Sequence, residues 1–158
     1  SSGYFNQKAK RLKTFVRYLQ QKYRGRIPSM RQVPWDQLRE ELLRLPGIGP
    51  ETADSILLYA LEKPTFVVDG YTRRILARHS LIRWEASYEE IRALFMEHLP
   101  HRVPYFNEYH ALLVALGKEI CHRQKPKCHI CPIRQVGRLR LETPAAPFVL
   151  LSRVNRSR

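Results

Sequence analysis

The sequence predicts an all-α fold. Apolar residues recur at spacings of three and four along most of the chain, which is the period of an amphipathic helix. Capping residues stand directly before two of these stretches. The β-branched apolar stretch at residues 65–68 is too short to found a sheet. A chain of 158 residues with 44% hydrophobic residues can bury a core and is not expected to be disordered.

Three helices are predicted in the first part of the chain. The first spans residues 6–23, and its apolar stripe consists of Ala9, Leu12, Val16, Leu19 and Tyr23. Residues 24–34 contain a glycine and two prolines and are predicted to form a connector. Further helices are expected at residues 35–45 and 51–61.

Local capping signals predict the helices that follow. Asp69 is placed to cap a helix over residues 70–78. Ser87 and Glu90, three residues apart, form a capping-box pattern that opens a helix ending near residue 99. A last helix is expected after Asn107.

Three regions follow from this organisation. Residues 1–120 form a helical region, which includes a helix–hairpin–helix at 35–61 and an Asp-bearing loop at 65–78. Residues 121–137 form a cysteine-bearing loop, and residues 138–158 form a basic C-terminal tail.

The charge distribution favours a polyanionic partner. The formal net charge is +14. Residues 1–34 contain nine Lys and Arg residues and no acidic residue, and the end of the chain is basic as well. Nucleic acid is the first candidate partner and an anionic membrane surface the second. A transmembrane protein is excluded, because no apolar run approaches the roughly 20 residues that cross a bilayer.

The segment between the second and third helices has the composition of a sharp hairpin. Gly47 and Gly49 flank Ile48, which is expected to lie between the two helices. Such a turn directs backbone N–H groups outward beside a helix N-terminus, where a phosphate oxygen can bind. A tight helix–helix turn without a ligand remains the alternative.

Two stretches carry a resemblance to a known family. They are Leu-Pro-Gly-Ile-Gly-Pro-Glu-Thr-Ala at residues 45–53 and Val-Val-Asp-Gly-Tyr-Thr-Arg-Arg-Ile-Leu-Ala-Arg at residues 67–78. Together with the cysteine spacing, they resemble the helix-hairpin-helix DNA glycosylase superfamily, in its endonuclease III-like branch. The resemblance covers about residues 3–137.

The resemblance implies a fold, a partner and a set of contacts. It implies an all-α fold in two lobes, with double-stranded DNA bound across the cleft by a monomer and a damaged base flipped into it. It also implies that the hairpin contacts DNA, through Gly47, Ile48, Gly49, Glu51 and Thr52. The expected location is the cytoplasm, in association with the nucleoid.

Asp69 matches the catalytic aspartate of that family. Cleavage of a glycosidic bond develops positive charge on the sugar, which a nearby carboxylate stabilises while it positions water. Helix capping alone is the alternative reading of this residue. Tyr71 is a candidate for stacking on the flipped base, with core packing as its alternative.

Glu51 stands where the bifunctional members of the branch carry a lysine. That lysine forms a Schiff base with the sugar, which a carboxylate cannot do. Lys63 lies elsewhere in the pattern and is not expected to replace it. The resemblance therefore implies a monofunctional glycosylase, and Glu51 is also a favourable residue for a helix start.

The substrate follows from the resemblance alone. The motifs look most like those of endonuclease III-related proteins that remove alkylated purines such as 3-methyladenine. These bases already carry positive charge and leave with little acid help. Adenine removal opposite oxidised guanine is the nearest rival, and a non-catalytic DNA-binding module is the alternative from another class.

Cys121, Cys128 and Cys131 have the spacing C-x6-C-x2-C. In the family this spacing opens a loop that holds a [4Fe–4S] cluster through four thiolates. Gly137 stands where the fourth cysteine belongs. The resemblance therefore implies a cluster that has a non-cysteine ligand, or has lost one iron, or is absent. A zinc site with His122 or His129 as the fourth ligand is the other alternative.

The resemblance begins abruptly at residues 2–9. Several helices precede this point in the family, so upstream helices are expected to be missing from this sequence.

Overall fold

The computed structural model describes residues 5–136, which form helices joined by short loops and contain no strand. The basic tail at residues 138–158 and Gly137 lie outside the described residues. The α-helices are α1 (Phe5–Tyr23), α2 (Ile27–Met30), α3 (Trp35–Leu43), α4 (Pro50–Ser55), α5 (Gly70–Arg78), α6 (Tyr88–His98) and α7 (Val103–Glu119). A π-helical segment (Ile56–Ala60) continues α4, and a 3-10 turn (Cys128–Ile130) lies in the cysteine loop.

The all-α fold predicted from the sequence is confirmed, and its helices pack around two apolar cores. One core joins α1 to the hairpin helices and contains the fully buried Met30, Leu38 and Leu42. The other lies among α5, α6 and α7 and contains the stacked rings of Phe66 and Phe95, whose centroids are 3.6 Å apart. Phe66, Val67 and Val68, which lead to Asp69, are buried in this second core.

Several helix boundaries differ from the prediction because prolines begin helices α2 and α7 and follow the end of α3. Helix α7 begins at Val103 rather than after Asn107, because Pro104 lies in its first turn, where a missing N–H costs nothing. In the same way, Pro28 opens the short helix α2 inside the predicted connector. Helix α3 ends at Leu43, ahead of the turn that contains Pro46.

The apolar stripe predicted on α1 is buried only at its C-terminal end. Leu19 and Tyr23 are buried, whereas Leu12 is 63% exposed and Val16 is 41% exposed. The capping box of α6 is present as predicted, with the Ser87 side chain bound to the backbone N–H of Glu90 and the Glu90 side chain bound to that of Ser87.

Candidate active site

The hairpin has the geometry that its glycines predict. Gly47 has φ +87°, a conformation that residues with a side chain rarely adopt. A Cβ at this position would also lie 2.7 Å from Cγ of Arg11, so α1 packs closely against the turn. The backbone N–H of Ile48 donates to the carbonyl of Leu45 over 3.0 Å, and the Ile48 side chain is buried as predicted.

The start of α4 is open to a ligand. Gly49 is its N-cap and provides no side-chain oxygen to bind the first-turn N–H groups, and Pro50 follows it. A Cβ built on Gly49 meets no atom within 4 Å. An approaching phosphate can therefore reach the backbone of this turn.

An open groove of about 560 Å³ runs along the hairpin. The five residues predicted to contact DNA all lie on it, together with Arg11, Pro50 and Tyr88. Arg11 brings a guanidinium from α1 into the groove, a contribution that the motif did not reveal. Its position in an exposed basic helix was the available signal.

Asp69 caps α5, as the sequence predicts. Its Oδ1 accepts a hydrogen bond of 2.8 Å from the backbone N–H of Thr72. Its Oδ2 lies 3.5 Å from Nε2 of His110 on α7. The side chain is 15% exposed, so the carboxylate is held on two sides and still reaches the surface.

These contacts keep the Asp69 carboxylate ionised. Burial alone raises its pKa, because a charged group is less stable away from water. Contact with His110 and the hydrogen bond from Thr72 outweigh burial and hold the pKa of Asp69 below its ordinary value. An ionised carboxylate at this place can stabilise positive charge on a sugar.

Glu51 shares the electrostatic environment of Asp69. Partial burial and the negative charge of Asp69 raise the pKa of Glu51 above its ordinary value, while His110 opposes this shift. Glu51, which lines the hairpin groove, and the Asp69 carboxylate therefore interact electrostatically. Two carboxyl groups whose pKa values move in opposite directions are typical of sites that handle protons.

Tyr71 packs between α5 and α7. Its ring lies so close to Gly117 that a Cβ there would be 2.4 Å from Cδ1 of the ring. The guanidinium of Arg74 lies over the same ring, 5.1 Å from its centroid. These contacts favour the packing alternative for Tyr71, and its role in a base pocket stays a prediction.

Two residues of the site were not identified from the sequence. His110 contacts Asp69, and its Nδ1 lies 2.6 Å from the hydroxyl of Tyr59. Tyr59 lies in the π-helical segment, and such segments are often found at functional sites. The available signal for His110 was its place in the sequence, directly before the apolar run of α7.

Two arginines of α5 hold the cysteine loop. Arg78 donates to the carbonyls of His122 and Arg123, each over 2.6 Å, and to Sγ of Cys121 over 3.3 Å. Arg74 donates to the carbonyls of Cys121 and Gly117, each over 2.9 Å. The helix that Asp69 caps therefore reaches the cysteine loop with its other end.

The cysteine loop provides three thiol groups, with Cys121 and Cys131 buried and Cys128 exposed. Among residues 5–136, no three His, Cys, Asp or Glu side chains converge on one metal position. This arrangement does not favour the zinc alternative with His122 or His129. In an iron–sulfur cluster each thiolate binds a different iron, so its thiolates lie farther apart than around a single ion, and the cation of Arg78 beside Cys121 suits a thiolate. The loop therefore carries three of the four thiols that such a cluster binds.

No helix in the described part of the chain has the length and apolar character that crossing a membrane requires.

Comparisons with known proteins identify relatives of this chain. The "Putative DNA repair glycosylase MJ1434" of Methanocaldococcus jannaschii is 44% identical over 136 residues, covering 85% of this chain and 61% of that protein. Endonuclease III of Thermotoga maritima is 35% identical over 133 residues, covering 82% of this chain and 56% of the enzyme. This chain thus spans about three-fifths of the length of these relatives.

A solved non-covalent endonuclease III–DNA complex has the same fold. It superposes with a TM-score of 0.70 at 28% identity, covering 89% of this chain and 63% of that chain. Residues 121–136 match the iron–sulfur binding domain of endonuclease III, as the cysteine spacing predicted. Residues 1–101, which contain the hairpin and Asp69, match the HhH-GPD superfamily base excision DNA repair proteins. The chain therefore belongs to the HhH-GPD superfamily of base excision DNA repair proteins.

Proposed function

We propose that this protein is a monofunctional DNA glycosylase, which hydrolyses the N-glycosidic bond of an alkylated purine in double-stranded DNA and does not cut the strand. The observation that carries the proposal is the Asp69 carboxylate. It is ionised, fixed by Thr72 and His110, and adjacent to an open hairpin groove. The protein acts on genomic DNA in this proposal and binds it as a monomer.

The hairpin supplies the proposed DNA contacts. The uncapped first turn of α4 offers N–H groups to a phosphate, and Arg11 adds a cation beside it. The cysteine loop adds basic side chains at Arg123, Lys125, Lys127 and Arg134. These contacts position the duplex and carry no sequence information.

Asp69 supplies the proposed chemistry. As the bond to the base breaks, its electron pair leaves with the base, and positive charge grows on the sugar beside the carboxylate. Water adds to the sugar carbon, and Asp69 orients that water and accepts its proton. An alkylated purine leaves as a neutral base and needs no proton from the protein.

We expect no lyase activity because neither position considered for the attacking lysine offers an amine to the sugar. Glu51 occupies the hairpin position where a lysine would form an imine. Lys63 is held elsewhere, since its ammonium group donates to the carbonyls of Arg31 and Val33, each over 2.8 Å. Neither residue can attack the sugar.

An iron–sulfur cluster would be held by Cys121, Cys128 and Cys131. It would supply a rigid cross-link within the loop, so that the loop's basic side chains stay in place. The reaction steps above use only Asp69 and water.

Incubation with alkylated duplex DNA tests the proposal. We expect free methylated purine, with strand breaks only after alkali treatment. Asp69→Asn should release base at least about 100-fold more slowly while binding DNA normally, whereas Asp36→Asn, at an exposed carboxylate on α3, should match the unmodified protein. Strand breaks before alkali would contradict the monofunctional assignment.

Two other functions remain distinguishable in the same assay. Release of adenine opposite oxidised guanine, and no release of alkylated purine, would indicate an adenine glycosylase, which the absence of the lysine also permits. Tight DNA binding with no base release from any damaged duplex would indicate a binding module built on the open hairpin groove.

A further inference from the structure

A chain of three polar side chains ends at the Asp69 carboxylate. The Tyr59 hydroxyl lies 2.6 Å from Nδ1 of His110, and Nε2 of His110 lies 3.5 Å from Oδ2 of Asp69. The three residues come from three different elements: the π-helical segment, α7 and the N-cap of α5. Their meeting is therefore a property of the folded chain.

The contacts with Tyr59 and Asp69 together favour one tautomer of His110. Partial burial and the negative charge of Asp69 raise the pKa of Tyr59 above its ordinary value, so the hydroxyl keeps its proton. Such a hydroxyl can donate to Nδ1 or accept from it, and the negative charge of Asp69 facing Nε2 favours the arrangement in which the hydroxyl donates and Nδ1 accepts. The imidazole proton is left on Nε2, the atom that faces Asp69.

The Nε2 atom of His110 has no other polar partner among the described residues. It is buried and makes no hydrogen bond there, and the His110 side chain is only 14% exposed. A buried N–H group without an acceptor is costly unless a charge lies close to it. The carboxylate of Asp69 is that charge, and its other oxygen already binds the backbone at Thr72.

We propose that His110 is a positioning residue for Asp69, and that Tyr59 fixes the tautomer in which His110 does so. The proposal rests on the glycosylase function proposed above and extends it to the groups that orient the carboxylate. Thr72 holds Oδ1, and His110 holds Oδ2. With both oxygens held, the carboxylate keeps one orientation toward the sugar.

Packing alone does not account for His110. Its ring also makes an edge contact with Phe66, with centroids 6.3 Å apart, which any aromatic residue could provide. The two ring nitrogens, however, face Tyr59 and Asp69. The charged and titratable groups around His110 are Asp69 on the α5 loop, Glu51 on α4 and Tyr59 on the π-helical segment.

Two variants of His110 test this proposal, one that keeps the aromatic ring and one that keeps a hydrogen-bond donor. His110→Phe keeps an aromatic ring but loses the donor, and we expect base release to slow about tenfold or more, with little change in substrate affinity. His110→Gln can still donate toward Asp69 and should recover part of the rate. Without the donor, the pKa of Asp69 should rise, so the acid limb of the pH–rate profile should move to higher pH.

Tyr59→Phe tests the tautomer, with Tyr105→Phe as its matched control. Tyr59 and Tyr105 are 49% and 48% exposed, so the two variants change tyrosines of nearly equal exposure. Tyr59→Phe should slow base release, and Tyr105→Phe should not. Imidazole ¹⁵N spectra should show protonated Nε2 and unprotonated Nδ1 in the unmodified protein, with a mixture of tautomers in Tyr59→Phe.

The outcomes distinguish this proposal from the proposed function. If the unmodified protein releases base and His110→Phe matches it in rate and pH profile, the positioning role is wrong. If the unmodified protein releases no base, the proposed function fails, and the spectra still decide the contact. In that case an Nε2 signal that shifts in Asp69→Asn supports the His110–Asp69 contact, and an unchanged signal overturns it.

Discussion

Arg39 on α3 binds both carboxylate oxygens of the fully buried Asp54 on α4. The two hydrogen bonds measure 2.8 and 2.9 Å. Thr65 and Tyr88 donate to the same carboxylate over 3.0 and 2.9 Å, and Arg92 on α6 lies 3.6 Å away. The pair therefore ties the hairpin helices to α6 and to the segment that begins at Thr65.

Asp54→Asn is expected to destabilise the protein strongly. The substitution removes the buried counter-charge that Arg39 and Arg92 share and leaves them only the more exposed carboxylate of Glu89. Loss of one member of a buried ion pair typically costs about 3–5 kcal/mol of unfolding free energy. Urea unfolding measures the change, with Glu40→Gln as the control, since Glu40 forms an exposed pair with Arg44. If Asp54→Asn lost no more unfolding free energy than Glu40→Gln, this account would be contradicted.

The parts of the site that the sequence predicts are those formed by near neighbours. Asp69 caps a helix through Thr72, three residues away, and the hairpin turn depends on two glycines within three residues. Such patterns are local, so spacing reveals them. The same holds for the capping box of α6.

The missed parts are formed by residues far apart in the chain. Tyr59 and His110 are separated by 51 positions and meet because α7 packs beside the π-helical segment. No local rule predicts that segment, since its residues fit an ordinary helical period. The exposure of Leu12 and Val16 on α1 was missed for a related reason: periodicity gives the apolar face but not the partner that covers it.

A pH-dependent part of the stability is expected from Glu41. Burial raises its pKa, but hydrogen bonds from Lys22, Tyr18 and Tyr23 outweigh burial and hold the pKa of Glu41 below its ordinary value. Its ionised form therefore favours the folded state. This stabilisation is fully present above the unfolded-state pKa of about 4.3 and is lost as the pH falls through the lower folded-state pKa.

Glu41→Gln tests this dependence. At pH 7 the variant should lose about 1–3 kcal/mol of unfolding free energy, because its neutral amide no longer balances Lys22. At a pH below the folded-state pKa, Glu41 is itself neutral, and the difference should disappear. Unfolding curves over a pH series measure it. A difference that stays constant with pH would show that shape, not charge, explains the cost.

Arg11 is expected to contribute one phosphate contact. It lines the hairpin groove, and its side chain packs on Gly47. Arg11→Gln keeps much of the packing and removes the charge, so DNA affinity should fall and the salt dependence of log K should flatten by about 1. Arg26→Gln, beyond the other end of α1, is the control. Binding titrations over a salt series measure both slopes, and equal slopes would exclude Arg11 from the interface.

Arg78→Lys is expected to loosen the cysteine loop. The guanidinium of Arg78 donates to two carbonyls and to Cys121 Sγ from fixed directions, a geometry that one ammonium group cannot reproduce. In protein loaded with iron and sulfide, the variant should lose its visible absorbance several-fold faster after a chelator is added, with unchanged helix content. Arg102→Lys is the control, because Arg102 lies over the Tyr105 ring at the start of α7. Equal rates of absorbance loss in both variants and the unmodified protein would mean that α5 does not stabilise the metal-loaded loop. Helix α5 would then connect Asp69 to the cysteines without affecting how firmly they hold the metal.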